Sequence, residues 1–270
     1  MGVINGVGGA VDGRSTVRQW SIREIQRGAK WVASNTSAGV ARKCGVKDWR
    51  GYFTGYGHTP ATFPGQTFTF TGSVDGTLGV SGPAICDRIV ITWDIEAGKI
   101  IEYRVDFSAN GTLSKGAGVA ADATTPVVEC STSMYVTIGG GQQTDIRFMR
   151  LVITCDNRPY VSSDTAGQVK RNSGNIDAEC LYRLYQDVPA NLPTLAVPNQ
   201  LRFHVTGDPT YWEMTWMLLE EIEDYGADRE GAENVGATIK GAFCAYNGTG
   251  AGTIVSPSTT QKWPTFSAEP

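Results

Sequence analysis

The sequence predicts a mainly β protein in which two β-sandwich or barrel-type domains follow each other, each with one short helix. Short runs rich in Val, Ile, Thr, Phe, Tyr and Trp are cut by Gly, Asn and Asp, a pattern typical of strands and turns. The 270 residues include 33 Gly and 12 Pro, and 41% are hydrophobic. A chain of this length can bury a core in each of two domains.

An internal repeat defines the two domains. Residues 16–64 align with residues 145–193 without a gap, at a constant offset of 129, and twelve positions are identical. Most identities fall in the second part of the aligned segment, where chance would give about two. The identical pairs are Arg18/Arg147, Val32/Val161, Ser34/Ser163, Thr36/Thr165, Val40/Val169, Arg42/Arg171, Gly45/Gly174, Asp48/Asp177, Tyr56/Tyr185, Pro60/Pro189, Ala61/Ala190 and Pro64/Pro193.

The repeat divides the chain into five parts. Residues 1–14 are rich in glycine and are expected to form a flexible N-terminal arm. Copy 1 spans residues 15–115 and copy 2 spans residues 144–255. The small and polar residues 116–143 are expected to be a linker. The segment 256–270 contains three prolines and is expected to be a C-terminal arm.

Each copy is expected to begin with two strands, followed by a short helix at residues 37–44 in copy 1 and 166–173 in copy 2. The sequences Ser-Asn-Thr and Ser-Asp-Thr stand just before these segments and are suitable N-caps. Gly45 and Gly174 can take the left-handed conformation that closes a helix. An irregular loop is the alternative.

The corner that follows the predicted helix carries the strongest local signal shared by the copies. Asp48 and Asp177 each stand three residues after a glycine, where a carboxylate can accept backbone N–H groups. We therefore interpret both aspartates as structural. The corner residues are Thr36, Gly45, Asp48, Trp49, Thr165, Gly174 and Asp177.

The copies differ further along the chain. Alternating strands are expected at residues 67–72 and 201–207, and copy 1 then forms a tight hairpin from residue 88 to residue 107. In copy 2 the turn of that hairpin is replaced by residues 220–233, which contain seven carboxylates and one arginine. We interpret this acidic stretch as a solvated loop or a hairpin extension.

Composition excludes several classes of function. The formal net charge is −4, so the basic footprint of a nucleic-acid-binding protein is missing. No apolar run approaches the ~20 residues of a membrane span, and a secretion signal is not evident. The six cysteines form no C-x-x-C pair and differ between the copies, which indicates free thiols rather than disulfides or a zinc site.

The sequence offers little catalytic chemistry. His58 and His204 are not equivalent in the repeat and have no nucleophile motif beside them. Carboxylates near aromatic residues leave a glycosidase as a minor alternative, although such residues are also ordinary on strand surfaces. These carboxylates are Asp94, Glu96, Glu213, Glu220 and Glu221. We expect no catalytic site, no cofactor and no metal.

Three motifs of copy 1 resemble the tail tube proteins of tailed bacteriophages. The pattern from Thr36 to Gly51 is similar to that family's helix-to-strand corner, which reads G-x-x-D-W-x-G. Residues 60–72 resemble the loop and core strand that follow it, and residues 105–113 resemble the closing strand. Copy 2 has Ala178 for the tryptophan and a cysteine for the last glycine, so there the resemblance rests on the internal alignment.

The resemblance implies a structural virion protein whose inner strands join those of neighbours into a barrel around a DNA channel. Two domains in one chain imply homotrimeric, pseudo-hexameric rings that stack into a tube. The implied partners are copies of the chain, other tail proteins and DNA that passes without specific binding, with no membrane. The protein would be made in the host cytoplasm and reside in the virion.

Stacking of the rings would use terminal arms and loops. The loop residues expected between rings are His58, Pro60, Pro64, Asp187, Pro189 and Pro193. Two other readings stay open at this point. The first is another phage structural protein, such as a tail terminator, a baseplate protein or a capsid decoration protein. The second is a carbohydrate-binding β-sandwich.

Overall fold

The computed structural model is built almost entirely of strands. It describes residues 3–12, 14–32, 39–43, 45–58, 60, 62–74, 78–117, 130–138, 141–143, 146–186, 199–205, 210–227, 235–242 and 265–268. The strands are β1 Val3–Val11, β2 Arg14–Gln26, β3 Ala29–Trp31, β4 Ala41–Lys43, β5 Lys47–Tyr56, β6 Thr67–Ser73, β7 Leu78–Asp94, β8 Glu102–Ala109, β9 Ser114–Ala117, β10 Met134–Ile138, β11 Gly141–Gln143, β12 Ile146–Cys155, β13 Arg158–Tyr160, β14 Lys170–Asn172, β15 Ile176–Gln186, β16 Asn199–Val205, β17 Thr210–Ala227, β18 Val235–Ala242 and β19 Thr265–Ala268. The mainly β class is therefore confirmed.

Six strands of the first half close into a barrel. The antiparallel order is β1-β2-β5-β8-β7-β6, and β6 pairs back to β1. Aromatic rings fill its interior: the ring centroids of Phe70 and Phe107 are 4.9 Å apart, and those of Phe53 and Phe70 are 6.0 Å apart. All three rings are buried. Closure pairs the edge strands, which removes the hazard of open edges.

The expectation of a flexible N-terminal arm is wrong for residues 3–11, because they form β1 and close the barrel. The glycines of this strand make room for Trp20, which is fully buried and donates from Nε1 to the Gly8 carbonyl at 2.9 Å. A Cβ added at Gly6 would lie 2.5 Å from the Trp20 ring, and one added at Gly72 would lie equally close. Glycine here serves close packing and not flexibility.

The second half repeats the strand order of the first but does not close in the described residues. Its order β16-β17-β18-β15-β12 corresponds to β6-β7-β8-β5-β2. β10 pairs with β16 as β1 pairs with β6. The free edge of β12, however, pairs with residues 88–94 of β7. The first and second halves therefore share one continuous sheet of 15 strands.

The registers of the two halves match at the offset of the sequence repeat. Ile22 lies opposite Gly51 in the first half, and Leu151 lies opposite Cys180 in the second. The two small hairpins, β3–β4 and β13–β14, also have matching registers. Each residue pair within β3–β4 corresponds to a pair within β13–β14 whose residue numbers are higher by 129. The unit from β2 to β5 and the unit from β12 to β15 therefore have the same local architecture.

The predicted helix at residues 166–173 is wrong. A single 3₁₀ turn covers Ser163–Thr165, and Thr165 bonds back to Ser162 as a cap would. The chain then turns through Ala166 and Gly167, which have left-handed φ values of 49° and 75°. It continues as β14, not as a helix. In copy 1, β4 occupies residues 41–43 of the predicted helix at 37–44, and residues 37, 38 and 44 lie outside the described residues.

Several other boundaries differ from expectation. The tight hairpin of copy 1 is confirmed as β7–β8. The expected linker contains β10 and β11, and the C-terminal arm contributes β19, which pairs with β17. Residues 220–227 of the acidic stretch extend β17 and pair with β18, so this part is a hairpin extension. Residues 228–233 lie outside the described part of the chain.

Candidate functional site

The two repeated units meet where the β13–β14 hairpin lies against the start of β5. The Lys47 N–H donates to the Gly167 carbonyl at 2.9 Å, and the Val169 N–H donates to the Lys47 carbonyl at 3.0 Å. Val169 is buried in this contact, with 7% of its surface exposed. The hairpin of the second unit is therefore docked on the corner of the first.

A bidentate ion pair fixes this docking. Arg171 donates from Nη1 and Nη2 to the two carboxylate oxygens of Asp48, at 3.0 and 2.8 Å. The same guanidinium donates to the Ala109 carbonyl at 2.7 Å, and the Arg171 N–H donates to Asn110 Oδ1 at 3.0 Å. The side chains of Arg171 and Asp48 are only 10% and 23% exposed. Partly buried, charge-assisted pairs of this geometry are stronger than ordinary surface pairs.

Asp48 and Asp177 make the same local hydrogen bond. Asp48 Oδ1 accepts the N–H of Trp49, and Asp177 Oδ1 accepts the N–H of Ala178, each at 2.9 Å. Each carboxylate therefore accepts a backbone N–H, as expected from the sequence. Trp49 is buried and donates from Nε1 to the Gly111 carbonyl at 2.9 Å, which ties the corner to the end of β8.

Gly45 and Gly174 do not close a helix, so that expected role is wrong. Each glycine instead faces the backbone of the preceding turn at close range. A Cβ on Gly45 would lie 2.1 Å from the Arg27 carbonyl oxygen, and one on Gly174 would lie 1.7 Å from the Asp156 carbonyl oxygen. Equivalent backbone bonds of 2.9 Å, from Arg27 to residue 46 and from Asp156 to residue 175, hold both turns in place.

A second set of polar groups ties the halves together where β7 passes from β6 to β12. Asn157 donates from Nδ2 to the Cys86 carbonyl at 2.8 Å and to Asp87 Oδ1 at 2.7 Å. The Ser108 hydroxyl donates to the other oxygen of Asp87. Burial raises the pKa of Asp87 above its ordinary value, although both hydrogen bonds and the nearby Arg171 lower it. These bonds join Asn157 of the second half to β7 of the first half, which suits a structural joint.

The expected inter-ring loop of copy 1 packs inside the chain. His58 is only 1% exposed, and its carbonyl accepts a bond from Trp212 Nε1 at 2.6 Å. The ring of Phe63 stacks on Trp212 with centroids 6.3 Å apart. Pro64 is buried and Pro60 is half-buried. His58 and Pro64, which the sequence placed between rings, are therefore covered within the chain.

Other expected residues lie outside the described part of the chain. These are Thr36, Asp187, Pro189 and Pro193. Thr165 is described, and it is buried at the end of the 3₁₀ turn that connects β13 to β14.

Two of the alternative carboxylates, Asp94 and Glu96, form ion pairs. Asp94 pairs with Lys99 at 2.8 Å, and Glu96 pairs with Arg147 at 3.5 Å, both near the surface. Glu213, Glu220 and Glu221 fall in β17. Among the described residues, no group of three His, Cys, Asp or Glu side chains could hold a metal ion. The described thiols are free, and they are the buried Cys86, Cys155 and Cys180 and the exposed Cys130.

Sequence reasoning missed the partner of Asp48. Arg171 lies 123 residues away along the chain, so no local pattern could reveal the pair. The available signal was that Arg42 and Arg171 are identical across the repeat.

Comparison with known proteins adds no family to this picture. No protein-family model matches the chain, and no curated protein matches it significantly. In the described part of the chain, none of the helical segments has the length and apolar character needed to cross a bilayer.

Proposed function

We propose that this protein is a structural virion protein, a tail tube subunit whose trimeric, pseudo-hexameric rings stack around a channel for DNA. The observation that carries the proposal is the contact between two matched units, in which the β13–β14 hairpin of one docks on the Asp48 corner of the other. The resemblance of copy 1 to tail tube proteins gives this contact its biological setting.

Contacts of this kind are heterologous, because one unit offers its hairpin and the other offers its corner. Heterologous contacts between similar units build rings when the rotation closes, and open filaments when it does not. A chain that holds two units needs three copies to place six units in a ring. The matched registers of the units favour such quasi-equivalent packing.

The charge of the chain suits a channel that does not retain DNA. The formal net charge is −4, with 23 basic and 27 acidic residues. Phosphate contacts from Lys and Arg provide most of the non-specific affinity for DNA. A wall without a basic surplus lets DNA slide, so no cofactor, membrane or sequence-specific DNA contact enters the proposal.

A second candidate is a ring-forming virion protein other than the tube, such as a tail terminator. The closed barrel of the first half favours it, since β1, β2, β5, β6, β7 and β8 already pair with one another. A tube with one continuous barrel would need free strands in both halves to join neighbouring subunits. A carbohydrate-binding β-sandwich or a baseplate or decoration protein gains no specific support.

Electron microscopy of the concentrated purified protein in negative stain separates these candidates. Long tubes with a central channel are the result expected for a tail tube subunit. Rings that never stack, under salt and concentration conditions that vary widely, would favour the terminator. Particles without rings would contradict both, and binding to a glycan array would then redirect attention to the carbohydrate-binding alternative.

A further inference from the structure

The first half carries a hairpin like the docked one, but its apolar side chains are exposed. β3–β4 has the register of β13–β14. Val40 is 51% exposed, whereas its equivalent Val169, which is docked, is 7% exposed. Trp31 and Val32 on the same hairpin are 46% and 70% exposed. Such a cluster of large exposed apolar residues marks a contact surface.

The second half carries the matching corner, and this corner is also exposed. Ile176 is 38% exposed, and Asp177 is exposed as well. The Asp177 carboxylate accepts the Ala178 N–H. In the part of the chain that the structure describes, Asp177 forms no ion pair. Asp48, its equivalent, holds Arg171 through both carboxylate oxygens. Within the residues that the structure describes, one hairpin and one corner therefore stay undocked.

We propose that these two surfaces bind each other between copies of this chain. The β3–β4 hairpin of one copy docks on the Ile176 and Asp177 corner of the next, and Arg42 pairs with Asp177 as Arg171 pairs with Asp48. In the β3–β4 hairpin, Arg42 lies opposite Lys30. In the docked hairpin, the equivalent Arg171 lies opposite Pro159. The corner of copy 2 is incomplete without this partner residue.

The proposal rests on the ring-forming function and names the interface that closes the ring. Contacts within chains and contacts between chains then alternate around one closed circle, and each unit gives one hairpin and receives one. A second copy is the favoured occupant because the chain already shows this contact between its own units. The exposed Val40 and the carboxylate of Asp177 find in that copy the groups that Val169 and Asp48 meet within one chain.

The first test measures association of Asp177→Asn by analytical ultracentrifugation over a wide range of concentration. The amide oxygen still accepts the Ala178 N–H, so folding should be retained and thermal unfolding serves as the check. Loss of a charge-assisted bidentate pair should raise the concentration for half-assembly by at least about tenfold. Glu102→Gln is the matched control, because Glu102 is an exposed strand carboxylate whose ion pair among the described residues is with exposed Arg18. This variant should assemble normally.

Charge reversal makes the pairing itself testable. Asp177→Arg and Arg42→Asp should each abolish rings, and the double variant should restore them. If the wild-type protein forms rings and both single variants also assemble normally, the proposed interface is wrong. The proposed function would still stand in that case. Failure of the double variant to recover would contradict the pairing. A wild-type chain that stays monomeric at every concentration would overturn both the interface and the function.

Discussion

The two halves of the molecule have the same strand order but end in different structures. The first half closes because β1 pairs with both β2 and β6. In the second half β10 pairs with β16, but β12 is already paired with β7. The difference teaches that the two units share their local registers, whereas the strand that pairs with the edge of β2 or β12 decides whether a barrel closes.

The two corners make the same comparison at the level of one side chain. Asp48 and Asp177 have the same bond to the next backbone N–H. Only Asp48 has an arginine partner in the described chain, because only the first corner has a hairpin docked on it. Identical residues therefore contribute differently to folding, and the exposed corner is the one available for assembly.

Removing residues 1–11 should have the largest effect on this comparison. The deletion takes away β1, exposes the ring of Trp20 and opens the barrel, so the first half should unfold at much lower urea concentration. Urea unfolding followed by tryptophan fluorescence and circular dichroism measures this effect. Unchanged unfolding would mean that these residues behave as the flexible arm expected from the sequence.

Substitutions at the two equivalent glycines should come next. Gly45→Val and Gly174→Val place a branched side chain where a Cβ alone would lie 2.1 and 1.7 Å from a carbonyl oxygen. We expect each to lower the free energy of unfolding by more than about 3 kcal/mol. Gly116→Val is the control, since a Cβ there meets nothing within 4 Å. Equal stability of all three variants would refute the close-approach explanation.

The two aspartates should respond unequally to loss of charge. Asp48→Asn breaks a partly buried bidentate pair and should cost about 2–3 kcal/mol in the free energy of unfolding. Asp177→Asn keeps its backbone bond and should stay within about 0.5 kcal/mol of the wild type. Urea denaturation of dilute, unassembled protein makes the comparison. Similar losses at both sites would show that the corners are equivalent after all.

The smallest effect should be a pH dependence at the joint between the halves. Burial raises the pKa of Asp87 in the folded protein, so this carboxyl binds a proton more tightly in the folded than in the unfolded state. The contribution of this group to the free energy of unfolding is fully present at pH values below the ordinary carboxyl pKa. It is lost as the pH rises through the raised pKa of the folded state. Relative to Asp87→Asn, the wild type should therefore lose stability from acid towards neutral pH. A gain over that interval would contradict the burial of this carboxylate.

The sequence predicted the strands better than the elements between them. Alternation of apolar residues located β6 and most of β16, because period-two patterns are local. The residues expected to cap the helix, Ser163–Thr165, themselves form a single 3₁₀ turn that begins after Ser162, and no helix follows because Ala166 and Gly167 take left-handed conformations. Local propensity does not show how far an element continues.

Long-range contacts explain the remaining errors. The glycines of β1 looked like flexibility because Trp20, which they accommodate, lies elsewhere in the sequence. The Asp48–Arg171 pair and the burial of His58 beside Trp212 likewise depend on the packing of the two halves. No single segment contains that information.

The mass of the assembled particle tests the central claim most directly. Native mass spectrometry of the wild-type protein should show a ring of three chains, which at 29.0 kDa per chain gives about 87 kDa. Rings of this mass are what two matched units per chain predict. A ring of six chains, with twice the mass, or a chain that never associates would contradict the account.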